Sequence, residues 1–346
     1  MTLAEIIAAR IRASGPITLA DYMAECLLHP VHGYYSTRDP FGAAGDFTTA
    51  PEISQMFGEL LGLALAQCWL DQGAPPGIVL AELGPGRGTL MADVLRATRG
   101  VPGFHSAARI CLVEASPVLR ARQAQVLGAY DVTWLDSVQD LPQWPLYLLA
   151  NEFFDALPIR QFQHEGAGWR ERMVGLTDGR LGFGLAPVAP VPGLGAAASG
   201  GIVEICPAAP GIVAEVSGRI ESNGGVALIV DYGGWQSRGD TFQALKSNAF
   251  ADPFAEPGQA DLTAHVDFAA LAAASTVACA YVQQGAFLQR LGIAQRAARL
   301  AALLTGDALQ SHVVATRRLT DVAEMGSLFK VLVLYSATCP KPPGTE

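Results

Sequence analysis

Three glycines and one acid fall within seven residues at the end of an apolar run. Glu82 is followed by Gly84, Gly86 and Gly88 in the order Glu-Leu-Gly-Pro-Gly-Arg-Gly. Glycine adopts positive φ angles and lets a ligand approach the backbone closely. A carboxylate in such a turn attracts a cationic group and repels a pyrophosphate. The turn therefore predicts a nucleotide-binding crevice at the carboxyl end of a strand.

The spacing of these glycines separates the turn from other glycine-rich nucleotide sites. A dinucleotide fingerprint is G-x-G-x-x-G, whereas here the third glycine comes one residue early and Pro85 removes an N–H donor. No G-x-x-x-x-G-K-[ST] stretch is present, which excludes a P-loop. The pattern instead resembles E/D-x-G-x-G-x-G of class I S-adenosylmethionine methyltransferases, with an NAD-dependent oxidoreductase as the less favoured alternative.

Acidic and hydroxyl side chains follow the next two predicted strands. Glu114 ends one strand, and a carboxylate there can accept hydrogen bonds from both ribose hydroxyls. Asp136 and Ser137 end the following strand and are predicted to hold the adenine amino group. The alternative is that Glu114 and Asp136 cap the following helices or face solvent.

A dense group of polar side chains, Asn151, Glu152 and Asp155, lies in the stretch ANEFFDALP next to Phe153 and Phe154. Paired carboxylates suit the planar, permanently charged fork of a guanidinium. They can also align a nitrogen for attack on a methyl group, and positioning is the main task of such an enzyme. The three polar residues are therefore predicted to be catalytic, with a helix-capping role for Asp155 as the alternative.

These motifs need a scaffold that brings the ends of several strands together. From residue 76 onward the chain alternates apolar runs with helical segments, and the predicted strands are 77–83, 109–115, 132–136, 145–153, 225–233 and 328–336. Such alternation predicts an α/β fold with a doubly wound, mostly parallel, Rossmann-like sheet. Ligands bind such sheets at the carboxyl ends of the strands.

The remaining segments are predicted to extend this sheet. Residues 1–75 read as an N-terminal helical cap, with capping residues at Thr2, Thr18 and Thr49. Residues 76–346 then form the methyltransferase core with inserted helices and an inserted antiparallel sheet. The insertions fall at about 159–205, 233–264 and 288–328. The first is predicted to be the antiparallel sheet, and the second an irregular lid.

Composition limits the partners. The 346 residues carry a net charge of −9, which argues against nucleic acid as the main partner. The six cysteines form no C-x-x-C pair, and His29-x-x-His32 has no further ligand nearby, so no metal is expected. No apolar run is long enough for a membrane span. The N-terminus resembles neither a signal nor a transit peptide, so a cytoplasmic protein of bacterial type is expected.

Several blocks together resemble the MidA family over residues 3 to 336: GDFTTAPEISQMFGELLG, ELGPGRGTL, NEFFDALPIRQF, ICPA, ALIVDYG, ADLTAHVDF and GSLFKVLVLY. This family includes a mitochondrial methyltransferase that assists complex I assembly. The resemblance implies a class I methyltransferase with S-adenosylmethionine as cofactor. It also implies symmetric dimethylation of arginine in a complex I core subunit. A cofactor-binding assembly chaperone and a small-molecule methyltransferase remain as alternatives, and the oligomeric state is not predicted.

One of these blocks, residues 45–55, precedes the glycine turn and is rich in hydroxyl groups. We expect it to fold over the cofactor, so that Thr49, Ser54 or Gln55 touches the methionine end. The alternative for Thr49 is a simple helix N-cap.

A second block, residues 260–268, carries an acid and a histidine. Asp261 and His265 are predicted to lie on the substrate side of the site and to take part in catalysis. The alternative for His265 is a structural role on a helix.

Overall fold

The structure is a computed structural model that describes residues 1–37, 48–166, 168–194 and 198–346. Within these ranges the helices α1 to α14 are Leu3–Ser14, Leu19–Leu28, Tyr34–Thr37, Ala50–Ile53, Gln55–Asp71, Thr89–Thr98, Phe104–Ala107, Pro117–Val126, Ala209–Asn223, Phe268–Ala274, Gln284–Arg290, Ile293–Ala301, Gly306–Thr320 and Met325–Leu328. The strands β1 to β16 are Ile17–Thr18, Ile78–Leu83, Ala108–Val113, Val132–Leu135, Leu146–Asn151, Arg160–Glu165, Gly168–Thr177, Arg180–Leu185, Ile202–Ile205, Gly225–Gly234, Gln243–Lys246, Ala249–Ala251, Asp261–Thr263, Val266–Asp267, Ala278–Gln283 and Phe329–Tyr335.

The central sheet has the strand order β15-β16-β10-β5-β2-β3-β4, and β14 pairs with β10 at its edge. Strands β10, β5, β2, β3 and β4 run parallel to one another, whereas β16 pairs antiparallel with β10 and β15 pairs antiparallel with β16. The predicted doubly wound, mostly parallel sheet is confirmed, and each of its six predicted strands forms. Strand β15 was not predicted, because its sequence ACAYVQ reads equally well as part of a buried helix.

Apolar side chains on both faces hold the central sheet between two helical layers. Every residue of β2 and of β5 is buried, as the continuous apolar runs predict. Side chains alternate along a strand, so Leu80 packs into the core shared with α5 and α6. Its neighbour Val79 packs into the core shared with α9 and α10. Because the five central strands run parallel, their carboxyl ends lie at one edge of the sheet, where the predicted motifs are found.

A second sheet, in the order β1-β7-β6-β9 with β8 beside β7, confirms the antiparallel sheet predicted for 159–205. The turn between β7 and β8 places Asp178 and Gly179 at φ 50° and 78°, as a tight hairpin turn requires. Helices α1 and α2 pack on this sheet in a third apolar cluster. Helix α5 instead packs on α6 in the core of the central sheet, and the domain boundary at residue 76 stays a prediction.

Two segments differ from their predicted forms. The helix predicted to begin near Thr49 is broken at Ser54, which has an extended φ of −158°, so α4 and α5 are separate helices. Residues 233–264 were expected to be irregular, but they contain the small antiparallel sheet β12-β11-β13. None of the helices in the described ranges combines the length and the apolar character needed to cross a membrane.

Candidate active site

A cavity of about 750 Å³ opens at the carboxyl ends of the parallel strands, the usual ligand position in a doubly wound sheet. Its walls include twelve of the residues singled out from the sequence: Thr49, Glu82, Gly84, Gly86, Glu114, Asp136, Ser137, Asn151, Glu152, Asp155, Asp261 and His265. The sheet thus brings together side chains that are more than 200 positions apart in the chain. Three predicted residues, Ser54, Gln55 and Gly88, do not line this cavity.

The glycine turn needs glycine for two separate physical reasons. Gly84, Gly86 and Gly88 have φ angles of 59°, 53° and 83°, which other residues rarely adopt. A Cβ atom on Gly84 would also lie 2.9 Å from Cδ2 of Phe153, inside van der Waals contact. Gly88 is the N-cap of α6, so it ends the turn and does not reach the cavity.

Glu82 is an acid buried at the base of this turn. Burial, with a smaller contribution from the charge of Glu114, raises the pKa of Glu82 to about 8, although the backbone N–H of Met91 opposes the shift. Within the described chain, its Oε2 atom has no hydrogen-bond partner. A buried acceptor without a partner is costly, so this oxygen fits the ammonium group of a cationic ligand.

Asn151, at the end of β5, presents a second buried acceptor to the cavity. Its Nδ2 donates to Oε1 of Glu152 at 3.0 Å, while its Oδ1 lacks a partner among the residues described. These two orphaned oxygens, with the glycine turn between the strand and helix, fit S-adenosylmethionine. We infer that Glu82 and Asn151 face the charged methionine end of the cofactor.

Glu114 follows β3, where a ribose acid was predicted. Its carboxylate accepts hydrogen bonds from the backbone N–H of Ser116 at 2.8 Å and from the side-chain amide of Gln123 at 3.1 Å. Burial raises the pKa of Glu114, while these two donors hold it down. Each oxygen keeps a lone pair for a further donor, so the ribose assignment remains our prediction.

Asp136 and Ser137 lie at the rim of the cavity. The side chain of Asp136 is 88% exposed and forms an ion pair with Arg120 at 2.5 Å. Ser137 caps a short turn and contacts the side chain of Gln139. Both side chains therefore already have partners within the protein, and their contact with adenine stays a prediction.

Glu152 has an unusual backbone conformation and a defined orientation. Its φ of 51° is in the left-handed region, which is uncommon for a residue with a Cβ atom. Its Oε1 accepts hydrogen bonds from the backbone N–H of Ala50 at 3.1 Å and from the Asn151 amide. Burial, reinforced by the charge of Asp155, raises the pKa of Glu152 to about 7. This acid can exchange a proton near neutral pH.

Asp155 is the second carboxylate of this group. Its Oδ1 has no hydrogen-bond partner within the described ranges. Burial raises the pKa of Asp155 to about 6, and a hydrogen bond with the Tyr232 hydroxyl opposes that shift. Glu152 and Asp155 therefore form an acidic pair with accepting capacity left over.

Asp231, in the middle of the apolar strand β10, was missed as a site residue. It is fully buried, and its carboxylate accepts hydrogen bonds from the backbone N–H groups of Phe154, Asp155 and Tyr232 at 3.0, 3.2 and 2.9 Å. Burial and the charges of Asp155 and Glu152 raise its pKa. The signal was present in the sequence, since an acid within the apolar run ALIVDYG needs buried donors.

Asp261 and His265 both line the cavity, and their place on the substrate side stays a prediction. The hydroxyl of Tyr35 donates to Oδ1 of Asp261 at 2.8 Å. The half-buried ring of His265 packs edge-on against Tyr232 at 5.4 Å. Burial lowers the pKa of His265, which favours a neutral ring. A catalytic role for these two residues stays a prediction.

The block 45–55 contributes less than was expected. Residues 45–47 lie outside the described residues, while Thr49 is buried at the cavity wall. The Ser54 hydroxyl instead accepts the N–H of Met56 and caps α5, and the side chain of Gln55 is exposed. Neither Ser54 nor Gln55 lines the cavity among the described residues, and their contact with the cofactor stays a prediction.

A doubly wound sheet with a glycine turn after one strand and an acid after the next is the arrangement of a class I, S-adenosylmethionine-dependent methyltransferase. Residues 60–286 match the model of a family of S-adenosyl-L-methionine-dependent methyltransferases. The chain belongs to this MidA-like family, which confirms the resemblance seen in the sequence. It is a methyltransferase, and its cofactor is S-adenosylmethionine.

The similarity extends along nearly the whole chain. A Drosophila melanogaster relative, named protein arginine methyltransferase NDUFAF7 homolog, mitochondrial, is 37% identical, over 96% of this chain and 85% of its own. The human protein arginine methyltransferase NDUFAF7, mitochondrial, is 38% identical, over 82% of this chain and 72% of its own. A COG1565 superfamily structure from Burkholderia thailandensis, bound to S-adenosyl-homocysteine, has a TM-score of 0.85 at 30% identity, covering 99% of this chain and 94% of that one.

These relatives also correct one expectation. The N-terminal sequence and the unpaired cysteines led us to expect a cytoplasmic protein. The curated relatives are mitochondrial proteins, which contradicts that expectation. The spacing of cysteines is only indirect evidence for the redox conditions around a protein. An N-terminal segment that folds as a helix does not identify the cellular compartment.

Proposed function

We propose that this methyltransferase acts on arginine side chains of a protein. The observation that carries the proposal is the pairing of Glu152 and Asp155 beside the cofactor-facing Asn151, with accepting oxygens left over. Paired carboxylates suit a guanidinium, which presents two parallel N–H donors and stays charged at neutral pH. The relatives named as protein arginine methyltransferases support the same conclusion.

The charge balance of the cavity supports a cationic substrate. Among the described residues that line it, seven are acidic and two are arginines. One of the arginines, Arg318, lies near enough to lower the pKa of Glu152. The acids outnumber the arginines in the lining, so the cavity suits a cationic substrate.

The orientation of Glu152 assigns different tasks to its two oxygens. Oε1 is held by the Ala50 N–H and the Asn151 amide, so Oε2 is the atom that can meet a guanidinium nitrogen. S-adenosylmethionine supplies a methyl group already activated by its sulfonium. Glu152 and Asp155 hold the guanidinium nitrogen in line and accept the proton it loses as the C–N bond forms and the C–S bond breaks.

The acceptor and the product follow from the MidA resemblance. We propose a core subunit of respiratory complex I as the acceptor, and symmetric dimethylation of its arginine as the product. Asp261 and His265 form the substrate-side wall in this proposal, with Glu114 on the ribose and Asp136 and Ser137 near the adenine.

Transfer of labelled methyl tests the proposal. The purified protein is incubated with methyl-labelled S-adenosylmethionine and an extract from cells that lack its gene, with the Glu152→Ala variant as control. Label in symmetric dimethylarginine of a complex I subunit, absent with the variant, is the expected result. Intact cofactor binding with no label in protein would instead indicate an assembly chaperone. Label in small molecules alone would indicate a small-molecule methyltransferase.

A further inference from the structure

We propose that Gln123 is a positioning residue that fixes the distance between the two halves of the cofactor site. It lies on α8, outside the cavity wall, and its side chain is fully buried. Neither the glycine pattern nor the acid pattern in the sequence points to it.

The side-chain amide of Gln123 bridges two cofactor elements that belong to different strands. Its Nε2 donates to the backbone oxygen of Gly86 at 2.7 Å and to Oε2 of Glu114 at 3.1 Å. Gly86 is at the centre of the turn after β2, and Glu114 follows β3. One amide thus joins the turn at the methionine end to the acid predicted to bind the ribose.

Trp134 fixes which end of this amide faces the site. The indole Nε1 of Trp134 donates to Oε1 of Gln123 at 2.8 Å. Because the oxygen already has its donor, both N–H groups point to the acceptors on Gly86 and Glu114. A side chain with one acceptor and two donors satisfies this arrangement, and only an uncharged amide does so without adding charge beside Glu114.

The stem of the buried Gln123 side chain lies beside the glycine turn. A Cβ atom on Gly88 would lie 3.4 Å from Cγ of Gln123, so the side chain packs directly against the turn. Its stem and its amide therefore both contact the glycine segment. If Gln123 is changed, the Gly86 peptide and the Glu114 carboxylate lose the side chain that fixes the distance between them.

The test compares the isosteric Gln123→Glu variant with Gln125→Glu on the same helix, where the exposed Gln125 side chain accepts a hydrogen bond from Arg122. Affinity for S-adenosylhomocysteine is measured by calorimetry between pH 6 and pH 8.5. We expect Q123E to bind about 10- to 100-fold more weakly at pH 8, since two hydrogen bonds are lost and a carboxylate faces Glu114. The deficit should shrink as the pH falls, because the protonated carboxyl can donate again. Q125E should match the wild type throughout.

A spectroscopic signature separates positioning from general destabilisation. The indole N–H resonance of Trp134, assigned by its loss in Trp134→Phe, should shift when S-adenosylhomocysteine binds to the wild type. In the apolar variant Gln123→Met, which cannot be charged at any pH, binding should weaken about 10-fold and the indole signal should no longer respond. The proposal is overturned if Q123E follows Q125E at every pH, or if Q123M binds as tightly as the wild type.

Discussion

The backbone N–H of Ala50 donates a hydrogen bond to Oε1 of Glu152 at 3.1 Å, across a separation of 102 residues. The bond joins the first turn of α4, which contributes Pro51 and Glu52 to the cavity wall, to the acid that follows β5. The same segment thus lines the cavity and orients the carboxylate proposed to meet the substrate.

The glycine turn should not tolerate a branched side chain. Gly86 has a φ of 53°, which valine rarely adopts, and its carbonyl is fixed by Gln123. We expect Gly86→Val to weaken binding of S-adenosylhomocysteine by at least about 100-fold, measured by calorimetry. Gly182→Val is the control, because Gly182 lies in strand β8 with open space around its Cα. Normal binding by Gly86→Val would show that the glycine turn is not part of the cofactor site.

Glu152 should control transfer and leave cofactor binding intact. In Glu152→Gln the amide oxygen can still accept the Ala50 N–H, so the fold is kept while the carboxylate is lost. We expect the transfer rate to fall by about 100- to 1000-fold, with the S-adenosylhomocysteine affinity within about threefold. The exposed Glu221→Gln is the matched control. A fully active Glu152→Gln variant would contradict the assigned role.

The same acid should shape the pH dependence of the reaction. The pKa of Glu152 is raised to about 7, and the carboxylate binds the guanidinium in its ionised form. The wild-type kcat/KM should therefore rise with pH up to about 7 and then level off. This rise of kcat/KM with pH should be absent from the residual activity of Glu152→Gln, measured as initial rates from pH 5.5 to pH 8.5. If the same rise persists in the variant, it reports the titration of another group.

Glu82 should make the cofactor-free protein less stable as the pH rises. Its pKa is about 8 in the folded state and near 4.5 in the unfolded chain, so the folded state holds a proton that the unfolded state releases. Stability contributed by that proton is present below about pH 4.5 and is lost progressively up to about pH 8. In Glu82→Gln the loss should vanish, so Tm at pH 8.5 should exceed that of the wild type by roughly 3 to 5 °C.

Thermal unfolding at pH 5.5 and pH 8.5 checks this, with Glu221→Gln measured in parallel. The Glu82→Gln variant should also lose cofactor affinity, because it no longer offers a carboxylate to the ammonium group. If wild type and variant show the same change in Tm between the two pH values, the buried acid is already ionised in the folded state.

Asp231 should be needed for the backbone conformation of Phe154 and Asp155, whose N–H groups it accepts. In Asp231→Asn an amide donor faces one of the three backbone N–H groups, and at least one buried hydrogen bond is lost. We expect the free energy of unfolding to fall by about 1 to 3 kcal/mol, measured by urea denaturation. Methyl transfer should fall further than cofactor affinity does. Asp131→Asn, at an exposed position, should change none of these quantities.

The sequence by itself determined the sheet, the glycine turn and the acids that follow its strands. These features are local: an unbroken apolar run forms a buried strand, and a positive φ requires glycine at given positions. Carboxyl ends of parallel strands share one edge, so Glu82, Glu114 and Glu152 could be placed together before their distances were known. Strand β15 was not predicted, because its short apolar run has no periodicity that distinguishes a strand from a helix.

Only the tertiary structure decided which side chains have partners. The exposed Asp136 pairs with Arg120 on a different element. Gln123 contacts Gly86, 37 positions away in the chain, and Asp231 accepts the N–H of Phe154, 77 positions away. Burial and hydrogen bonding depend on every neighbouring segment at once, and no local spacing encodes them. For that reason the pattern of residues identified the chemistry, while the fold assigned each side chain its place in it.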